Sequence, residues 1–175
     1  MNRKLTNGTK LEGVKVFVND VHEDNRGHLV EQYSKRKISD LEFVQDNLVF
    51  SVKNTLRGLH FQKAHPQGKL ITVVSGYIYD VCVDLRKTSI TYGKWFSILL
   101  SDDRYCTQVY IPEGFAHGFI ALTDCHVLYK CTDFYYPDDQ YGYVWNDKNL
   151  NIDWLLDDCE PVLSDKDKTL PNFNK

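Results

Sequence analysis

The residues best suited to chemistry lie in one short stretch, Arg57-Gly-Leu-His60-Phe-Gln62, which is followed closely by Gln67-Gly-Lys69-Leu. Together these two segments supply two cations, an imidazole and two amides over thirteen positions. An arginine binds phosphate or carboxylate through paired hydrogen bonds, a histidine exchanges a proton near neutral pH, and a lysine stabilises a developing oxyanion. Because the flanking residues are typical of buried strands, these groups are expected to face a shared, partly desolvated interior. The stretch predicts an anion-binding site with proton-transfer chemistry.

A second block, Ile111-Pro-Glu-Gly-Phe-Ala-His117-Gly-Phe119, places a histidine just after a proline–glycine turn. Its P-x-G-x-x-H spacing resembles the second half-motif of the cupin barrels, in which this histidine usually binds a metal. The first cupin half-motif needs two histidines and a glutamate, whereas His60-Phe-Gln62 supplies only one histidine. A transition-metal site needs three or four ligands, so the sequence predicts no metal and no cofactor. A buried His117 that hydrogen-bonds to backbone is an alternative to one that contacts substrate.

Composition limits the classes of protein to which the chain can belong. The formal net charge of −3 and the pI of about 6.0 give no electrostatic basis for a nucleic-acid or membrane-surface partner. The five cysteines include no C-x-x-C pair, which favours reduced thiols. The first residues lack the apolar region of a signal peptide, and no apolar run is long enough to cross a bilayer. A cytoplasmic location is therefore expected.

Strands are expected to position the reactive residues. Alternating or continuous apolar runs separated by turn residues predict one all-β domain over residues 1–175, either a sandwich or a barrel. The runs from Leu70 to Val74 and from Tyr77 to Val83, joined by Ser75-Gly76, predict a hairpin. Lys37–Leu41 is a candidate short helix, and the last forty residues are expected to form loops and short helical turns. The predicted strands are Val14–Val18, Phe43–Val52, Leu70–Val74, Tyr77–Val83, Trp95–Leu100, Thr107–Ile111, Phe119–Leu122 and Val127–Cys131.

From about residue 10 to the C-terminus, an ordered series of motifs resembles the dTDP-4-dehydrorhamnose 3,5-epimerase family. The resemblance implies a metal-free, cupin-like jelly-roll barrel with short peripheral helices that forms a homodimer. It also implies a nucleotide-diphospho-4-keto-6-deoxy sugar as substrate. The motifs are Asp24-Asn-Arg-Gly27 with Glu31, Phe43-Val-Gln-Asp-Asn47, Leu56-Arg-Gly-Leu-His-Phe-Gln62, Gln67-Gly-Lys-Leu70, Asp80-Val-Cys-Val-Asp-Leu-Arg86, Pro112-Glu-Gly-Phe-Ala-His-Gly-Phe119, Leu128-Tyr-Lys130, Trp145-Asn-Asp147 and Leu163-Ser-Asp-Lys-Asp167.

The resemblance also assigns roles to individual residues. His60 matches the base that removes the hydrogen beside the ketone, and Asp167 matches the carboxylate that orients this base. Lys69 matches the cation that stabilises the enolate, and Tyr129 matches the acid that returns a proton to the opposite face. The matching substrate-binding residues are Arg26, Glu31, Gln45, Asn47, Arg57 and His117.

One departure from the family pattern leaves the nucleotide open. The family carries one or two phenylalanines between Arg-Gly and the glutamate, where this chain has His28, Leu29 and Val30. The expected reaction is epimerisation at C3 and C5 of a dTDP-linked sugar for surface polysaccharide synthesis. The alternatives are the same chemistry on a GDP-linked 4-keto-6-deoxy heptose, epimerisation at C3 only, and a non-catalytic cupin that binds sugar nucleotides.

Overall fold

The structure is a computed structural model that describes residues 6–103, 107–156 and 159–174. These residues form mainly antiparallel strands, with one short α-helix and one turn of 3₁₀ helix at Pro137–Asp139. No helix in these ranges has the length and apolar character needed to cross a membrane. The elements are β1 (Thr6–Gly8), β2 (Lys15–Val18), β3 (Val21–Asp24), β4 (Gly27–Val30), β5 (Gln45–Ser51), β6 (Leu56–Gln62), β7 (Lys69–Ser75), β8 (Tyr77–Asp84), β9 (Trp95–Ser101), β10 (Thr107–Ile111), β11 (Phe115–Ala121), β12 (Cys125–Cys131), β13 (Gln140–Gly142) and α1 (Asp165–Lys168).

Two sheets pack face to face around the main core. The six-stranded sheet has the order β1-β9-β8-β11-β6-β13, and the five-stranded sheet has the order β2-β10-β7-β12-β5. Alternate residues of both sheets point into the space between them, as expected for a sandwich. Ile71, Val109 and Val127 from the five-stranded sheet meet Ile98 and Phe119 from the other sheet. The predicted all-β, cupin-like jelly roll is confirmed.

A second core covers the outer face of the six-stranded sheet. Leu150, Trp154 and Phe173 of the C-terminal segment pack there against residues such as Tyr79 and Ile120. This apolar contact holds the last part of the chain across β6 and β8, although the segment has little regular structure of its own. The expected loops and helical turns are found, and the strand β13 was not anticipated.

The buried carboxylate of Asp147 ties the C-terminal segment together. It accepts hydrogen bonds from the backbone N–H groups of Asn149 and Leu150 at 2.8 and 2.9 Å. Its other oxygen accepts from the N–H of Phe173 at 2.9 Å. A buried carboxylate is tolerated when its lone pairs are satisfied in this way, and here the bonds fix the path of the chain on both sides of α1.

The hairpin predicted from Leu70 to Val83 is wrong. β7 lies in the five-stranded sheet between β10 and β12, whereas β8 lies in the six-stranded sheet between β9 and β11. Gly76 therefore carries the chain from one sheet to the other instead of joining two paired strands. Its φ of +81° and the Asp124 carbonyl oxygen, 2.2 Å from the place of an added Cβ, exclude a side chain. Sequence periodicity cannot distinguish this crossing from a hairpin, since both need a tight turn between two apolar strands.

The candidate helix Lys37–Leu41 is also wrong, because residues 35–40 form turns. The N–H groups of Lys37 and Ile38 both bond to the carbonyl of Ser34, so one turn closes and does not continue. Ile38 is buried against Leu70 on the outer face of the five-stranded sheet. The apolar side chains of this segment thus cover a sheet, which needs no helical geometry.

Replacing Gly76 by alanine is expected to destabilise the fold. A left-handed conformation alone costs a non-glycine residue about 1–2 kcal/mol, and the clash with Asp124 adds to that cost. The midpoint of thermal unfolding should therefore fall more for Gly76→Ala than for Gly27→Ala. Gly27 is the matched control, because it also has a positive φ but an added Cβ there meets nothing within 4 Å. Equal effects of the two substitutions would contradict the close approach at Gly76.

Candidate active site

A cavity of about 390 Å³ opens between the two sheets. Strands of both sheets contribute to its walls, and α1 closes one side. A site between two sheets can present chemical groups to opposite faces of one ligand. Of the residues predicted from sequence, the structure brings seven together here: Asn47, Arg57, His60, Lys69, His117, Tyr129 and Asp167.

Close contact between β6 and β11 places two histidines side by side. Gly58 allows this contact, because an added Cβ would lie 2.6 Å from the His117 carbonyl oxygen and 2.7 Å from the Cα of Gly118. In the resulting register His60 is opposite His117. The register shifts between His117 and Phe119. Both imidazoles reach the cavity from the same sheet.

His60 is paired with the carboxylate of Asp167 through a contact of 2.6 Å from Nε2 to Oδ1. Asp167 is buried, and its own N–H is bonded to the Ser164 hydroxyl at the start of α1. Burial raises the pKa of Asp167, but the hydrogen bond and charge of His60, with bonds from Ser164 and Gly58, outweigh burial and leave this pKa below its usual value. An ionised Asp167 accepts the Nε2 proton of a neutral imidazole. The lone pair of Nδ1 is then available to take a proton.

His117 has its own buried carboxylate partner. Its Nε2 lies 2.7 Å from Oδ2 of Asp80, which belongs to the neighbouring strand β8. The bond is to a side chain, so the alternative of a histidine bonded to backbone is wrong. Sequence reasoning missed Asp80 as a site residue, although an aspartate inside the apolar run Tyr79–Val83 was a signal. A carboxylate on a buried strand needs a charged or hydrogen-bonding partner.

Lys69 and Tyr129 enter the cavity from the opposite sheet, on the neighbouring strands β7 and β12. Lys69 Nζ lies 6.0 Å from the centre of the Tyr129 ring. Burial lowers the pKa of Lys69, while Cys131 and Asp80 act in the opposite direction. Burial also raises the pKa of Tyr129, which keeps its phenol protonated at neutral pH. The two side chains thus offer a cation and a neutral proton donor.

Arg57 and Asn47 are held at the edge of the cavity by bonds to β5 and β12. Arg57 Nε donates to the Ser51 hydroxyl at 3.0 Å, and Nη2 donates to the Phe50 carbonyl at 3.1 Å. Asn47 Nδ2 donates to the thiol of Cys131 at 3.7 Å. The guanidinium retains N–H groups that can bind an anion.

Three of the predicted substrate-binding residues do not line this cavity. Gln45 donates from Nε2 to Asn47 Oδ1 at 3.0 Å. Arg26 is on the β3–β4 hairpin and pairs with Asp24 at 2.6 Å. Glu31 borders a different, smaller cavity and pairs with Lys37 at 3.1 Å.

The structure adds lining residues that sequence reasoning missed, among them Tyr135, Gln140 and Lys166. Lys166 Nζ donates to Gln140 Oε1 at 2.6 Å, and the Tyr135 hydroxyl donates to the same oxygen at 3.1 Å. Tyr135 belongs to an irregular segment and Gln140 begins the three-residue strand β13, and neither is long enough in regular structure for periodicity to indicate which side chain faces a cavity. The only available signal was the position of Lys166 directly before Asp167, since consecutive residues of one helical turn can lie at the same rim.

The described residues contain no group of three or more histidine, cysteine, aspartate or glutamate side chains arranged to bind a metal. His60 and His117 lie opposite each other, but the Nε2 of each is bonded to a carboxylate, Asp167 and Asp80 respectively. The donor set of the cupin metal centre is thus not assembled among these residues.

The jelly-roll barrel and the histidine–carboxylate cavity between its sheets define a cupin-like protein. Within that class the chain belongs to the dTDP-4-dehydrorhamnose 3,5-epimerase family, whose model matches residues 8–175. The chain is 45% identical over 166 residues to the dTDP-4-dehydrorhamnose 3,5-epimerase of Methanothermobacter thermautotrophicus, which covers 91% of this chain and 89% of the relative. The predicted family, and with it the class of nucleotide-sugar epimerases, is confirmed.

Two solved structures show how close the similarity is. A dTDP-6-deoxy-D-glucose-3,5-epimerase from Legionella pneumophila, in complex with dTDP-4-keto-L-rhamnose, has a TM-score of 0.87 and 35% identity, covering 97% of this chain and 100% of the other. A 3'-monoepimerase from Streptomyces bikiniensis, in complex with dTDP-quinovose, has a TM-score of 0.86 and 31% identity, covering 94% of this chain and 85% of the other. The overall fold therefore does not distinguish one inverted carbon from two.

Replacing Asp167 by asparagine is expected to reduce the loss of stability in acid. The pKa of Asp167 is lower in the folded chain than the ordinary value of about 4. Its ionised form therefore favours folding above that pH, and this contribution is lost as the pH falls through the lowered value. Denaturant unfolding at pH 7 and pH 3 should show a smaller difference in Asp167→Asn than in the unmodified chain. Asp138→Asn, at an exposed carboxylate outside the cavity, is the control and should behave like the unmodified chain.

Proposed function

We propose that the chain inverts C3 and C5 of a dTDP-linked 4-keto-6-deoxyglucose, with His60 as the base and Tyr129 as the acid. The observation that carries this proposal is the arrangement across the cavity. The His60–Asp167 pair comes from the six-stranded sheet and α1, and Tyr129 comes from the five-stranded sheet. Inversion needs a proton to leave one face of the sugar and another to arrive at the opposite face, which two opposed walls can provide.

The first step is removal of the hydrogen on the carbon beside the C4 ketone. His60 takes this proton, and Asp167 stabilises the imidazolium that results. The electron pair of the broken C–H bond moves to the C4 oxygen and forms an enolate. Lys69 stabilises that oxygen with its positive charge, and the partly desolvated cavity strengthens this interaction.

The second step is protonation of the enolate carbon from the other face. Tyr129 supplies this proton, because its raised pKa keeps the phenol protonated at neutral pH. The phenolate that forms lies near Lys69, and the cation limits the cost of a buried negative charge. Solvent then restores both protonation states, and the cycle is repeated at the second carbon.

The cations at the rim of the cavity support a diphosphate group as the anchor of the substrate. Arg57 of β6 and Lys166 of α1 both line the cavity. A guanidinium and an ammonium group together bind phosphate oxygens well. The dTDP-linked sugar in the similar Legionella structure supports thymidine as the base. The GDP-linked heptose stays an alternative because of His28, Leu29 and Val30.

The similarity to a 3'-monoepimerase makes inversion at C3 alone a second candidate reaction.

We infer that the product is a precursor for surface polysaccharide. We also infer that residues 1–175 act as one domain, since the family match runs over 8–175. A cytoplasmic location is supported by the free thiols of Cys82, Cys125, Cys131 and Cys159.

We also propose a homodimer in which the β3–β4 hairpin of one copy binds along β5 of the other. β5 is a seven-residue edge strand, and in the described part of the chain only β12 pairs with it. Leu48 and Phe50 on this strand are 63% and 52% exposed, and a long apolar edge of this kind is a template for another chain.

A contact of this kind would also stabilise the β3–β4 hairpin. It forms a separate two-stranded sheet with nearly all of its residues exposed, and an isolated hairpin is only marginally stable. Pairing along β5 would bring Arg26, and Glu31 just beyond the hairpin, toward Asn47 in the partner's cavity. This arrangement accounts for two predicted substrate-binding residues that lie outside the cavity of their own copy.

Hydrogen exchange with solvent tests the reaction. Incubation with dTDP-4-keto-6-deoxyglucose in heavy water should place two deuterons in the sugar by mass spectrometry, at C3 and C5. His60→Ala should slow this incorporation by about 10²–10⁴-fold, the usual contribution of a general base. Tyr129→Phe should still exchange hydrogen but lose inversion, because the proton returns only from the face of His60. Tyr77→Phe is the matched control, since its hydroxyl bonds to Asp103 outside the cavity.

Each other outcome of this experiment selects a different function. A single deuteron would identify an epimerase that acts on C3 only. Incorporation only with GDP-4-keto-6-deoxy-heptose would change the substrate and keep the mechanism. Full inversion by Tyr129→Phe would remove Tyr129 from the role of acid, and no incorporation with either substrate would leave a binding protein.

Mixing two inactive variants tests the dimer. His60→Ala lacks the base but supplies an intact hairpin, and Arg26→Ala lacks the hairpin arginine but keeps His60. After unfolding and refolding together, random pairing in a two-fold dimer should make about a quarter of the sites intact and restore that share of activity. If Arg26 served its own copy, or the chain were a monomer by light scattering, mixing would restore nothing. Refolding each variant alone is the control.

A further inference from the structure

The segment Asp133–Tyr136 follows β12 and forms one rim of the cavity. Its side chains Phe134, Tyr135 and Tyr136 are exposed, and Tyr135 lines the cavity. Because the segment pairs with no strand of either sheet, its backbone N–H and C=O groups need other partners. The structure supplies them from the side chains of Gln45, Gln62 and Gln67, which we name the glutamine clamp.

The clamp binds the first two carbonyl groups of the segment. Gln67 Nε2 donates to the carbonyl oxygen of Asp133 at 2.8 Å. Gln62 Nε2 donates to the carbonyl oxygen of Phe134 at 3.1 Å. Both glutamines also line the cavity. They are the two amides of the reactive stretch, and the proposed chemistry gives them no role.

The clamp also binds the next two N–H groups. The N–H of Tyr135 donates to Gln45 Oε1 at 2.9 Å. The N–H of Tyr136 donates to Gln62 Oε1 at 2.8 Å. Four consecutive residues are therefore held by three side chains from β5, β6 and the β6–β7 connection, and these bonds fix the segment relative to both sheets.

The bonding capacity of Gln62 shows that it acts on the segment and not on a ligand. Its Nε2 makes a second bond, to the carbonyl oxygen of His65 at 2.7 Å, so both of its N–H groups are used. The residue is only 7% exposed. Donating to a substrate would break a bond to the backbone of the segment. Gln45 is similarly engaged, because it also donates to Asn47.

Tyr135 depends on this segment for its position in the cavity. Its hydroxyl bonds to Gln140, which also accepts from Lys166, the neighbour of Asp167 on α1. The ring therefore extends along the rim from β12 toward the helix that carries the catalytic carboxylate. A shift of the backbone at Tyr135 would move the ring away from Gln140 and widen that side of the cavity.

We propose that Gln45, Gln62 and Gln67 are positioning residues that hold Tyr135 as a preformed wall for the bound sugar nucleotide. The proposal rests on the proposed function for its substrate. A wall that is already ordered before the substrate arrives reduces the conformational entropy that the protein loses on binding. Loss of the wall weakens binding of the substrate and of the transition state equally, so KM rises while kcat is little changed.

A double-mutant cycle tests the proposal. Gln62→Met keeps the side-chain volume but removes all three hydrogen bonds, and Tyr135→Ala removes the wall. Gln62→Met should raise KM, and the Kd for dTDP measured by calorimetry, by about tenfold, with kcat within about twofold. In the Tyr135→Ala background the same substitution should change KM by less than about twofold, because residues that act as a unit are not additive.

The control is another buried glutamine of similar bonding. Gln108 of β10 donates to Thr72 of β7, accepts from Asn19 just after β2, and does not line the cavity. Gln108→Met should lower the thermal midpoint and leave KM unchanged. If Gln62→Met does not fold, Gln67→Met, which removes one bond, takes its place in the cycle.

Two results would overturn the proposal while leaving the proposed function intact. One is a KM effect of Gln62→Met that multiplies fully with that of Tyr135→Ala, which would indicate direct contact with substrate. The other is a fall in the thermal midpoint with no change in KM or in the Kd for dTDP, which would indicate a purely structural role. An unmodified chain that neither epimerises the sugar nor binds dTDP would instead contradict the proposed function, and with it the substrate named here.

Discussion

The contact between His60 and the buried carboxylate of Asp167 is the interaction on which the rest of the site depends. An imidazole with a free Nδ1 requires an acceptor at Nε2, and Asp167 suits that role because the hydrogen bonds from His60, Ser164 and Gly58 oppose the effect of burial and leave its pKa below the usual value. The carboxylate reaches this place only because the C-terminal segment packs on the outer face of the six-stranded sheet. Apolar packing by Trp154 and Phe173 thus helps to hold the Asp167 carboxylate beside His60.

The second constraint is the opposition of the two sheets. The six-stranded sheet carries two histidines, each bonded to a carboxylate, and the five-stranded sheet carries Lys69 and Tyr129. Burial changes the pKa of Lys69 and that of Tyr129 in opposite directions, down for the cation and up for the phenol. The raised pKa keeps the Tyr129 phenol protonated at neutral pH, while Cys131 and Asp80 oppose the lowering of the Lys69 pKa, so the wall opposite His60 is suited to donate a proton and to receive negative charge.

Side-chain amides have a structural part in this site that their sequence positions do not suggest. Gln62 is next but one to His60 in the chain, yet its amide is bonded to a loop that follows β12. Strand β6 therefore supplies His60 and, two residues later, the Gln62 amide that supports the rim formed by the segment after β12. Because the imidazole and the rim are both held in place before binding, less conformational entropy is lost when a flexible ligand binds.

The sequence by itself determined the class of fold and the family, and it predicted seven residues that meet in the cavity, because strand periodicity and motif order can be recognised without the tertiary structure. It did not determine which strands pair: Ser75-Gly76 predicts a hairpin equally well whether β7 and β8 share a sheet or face each other. It also missed Asp80, Gln140 and Lys166, whose roles come from neighbours distant in the chain. Only the tertiary structure decided these points, since pairing, burial and hydrogen-bond partners depend on contacts between residues that periodicity cannot relate.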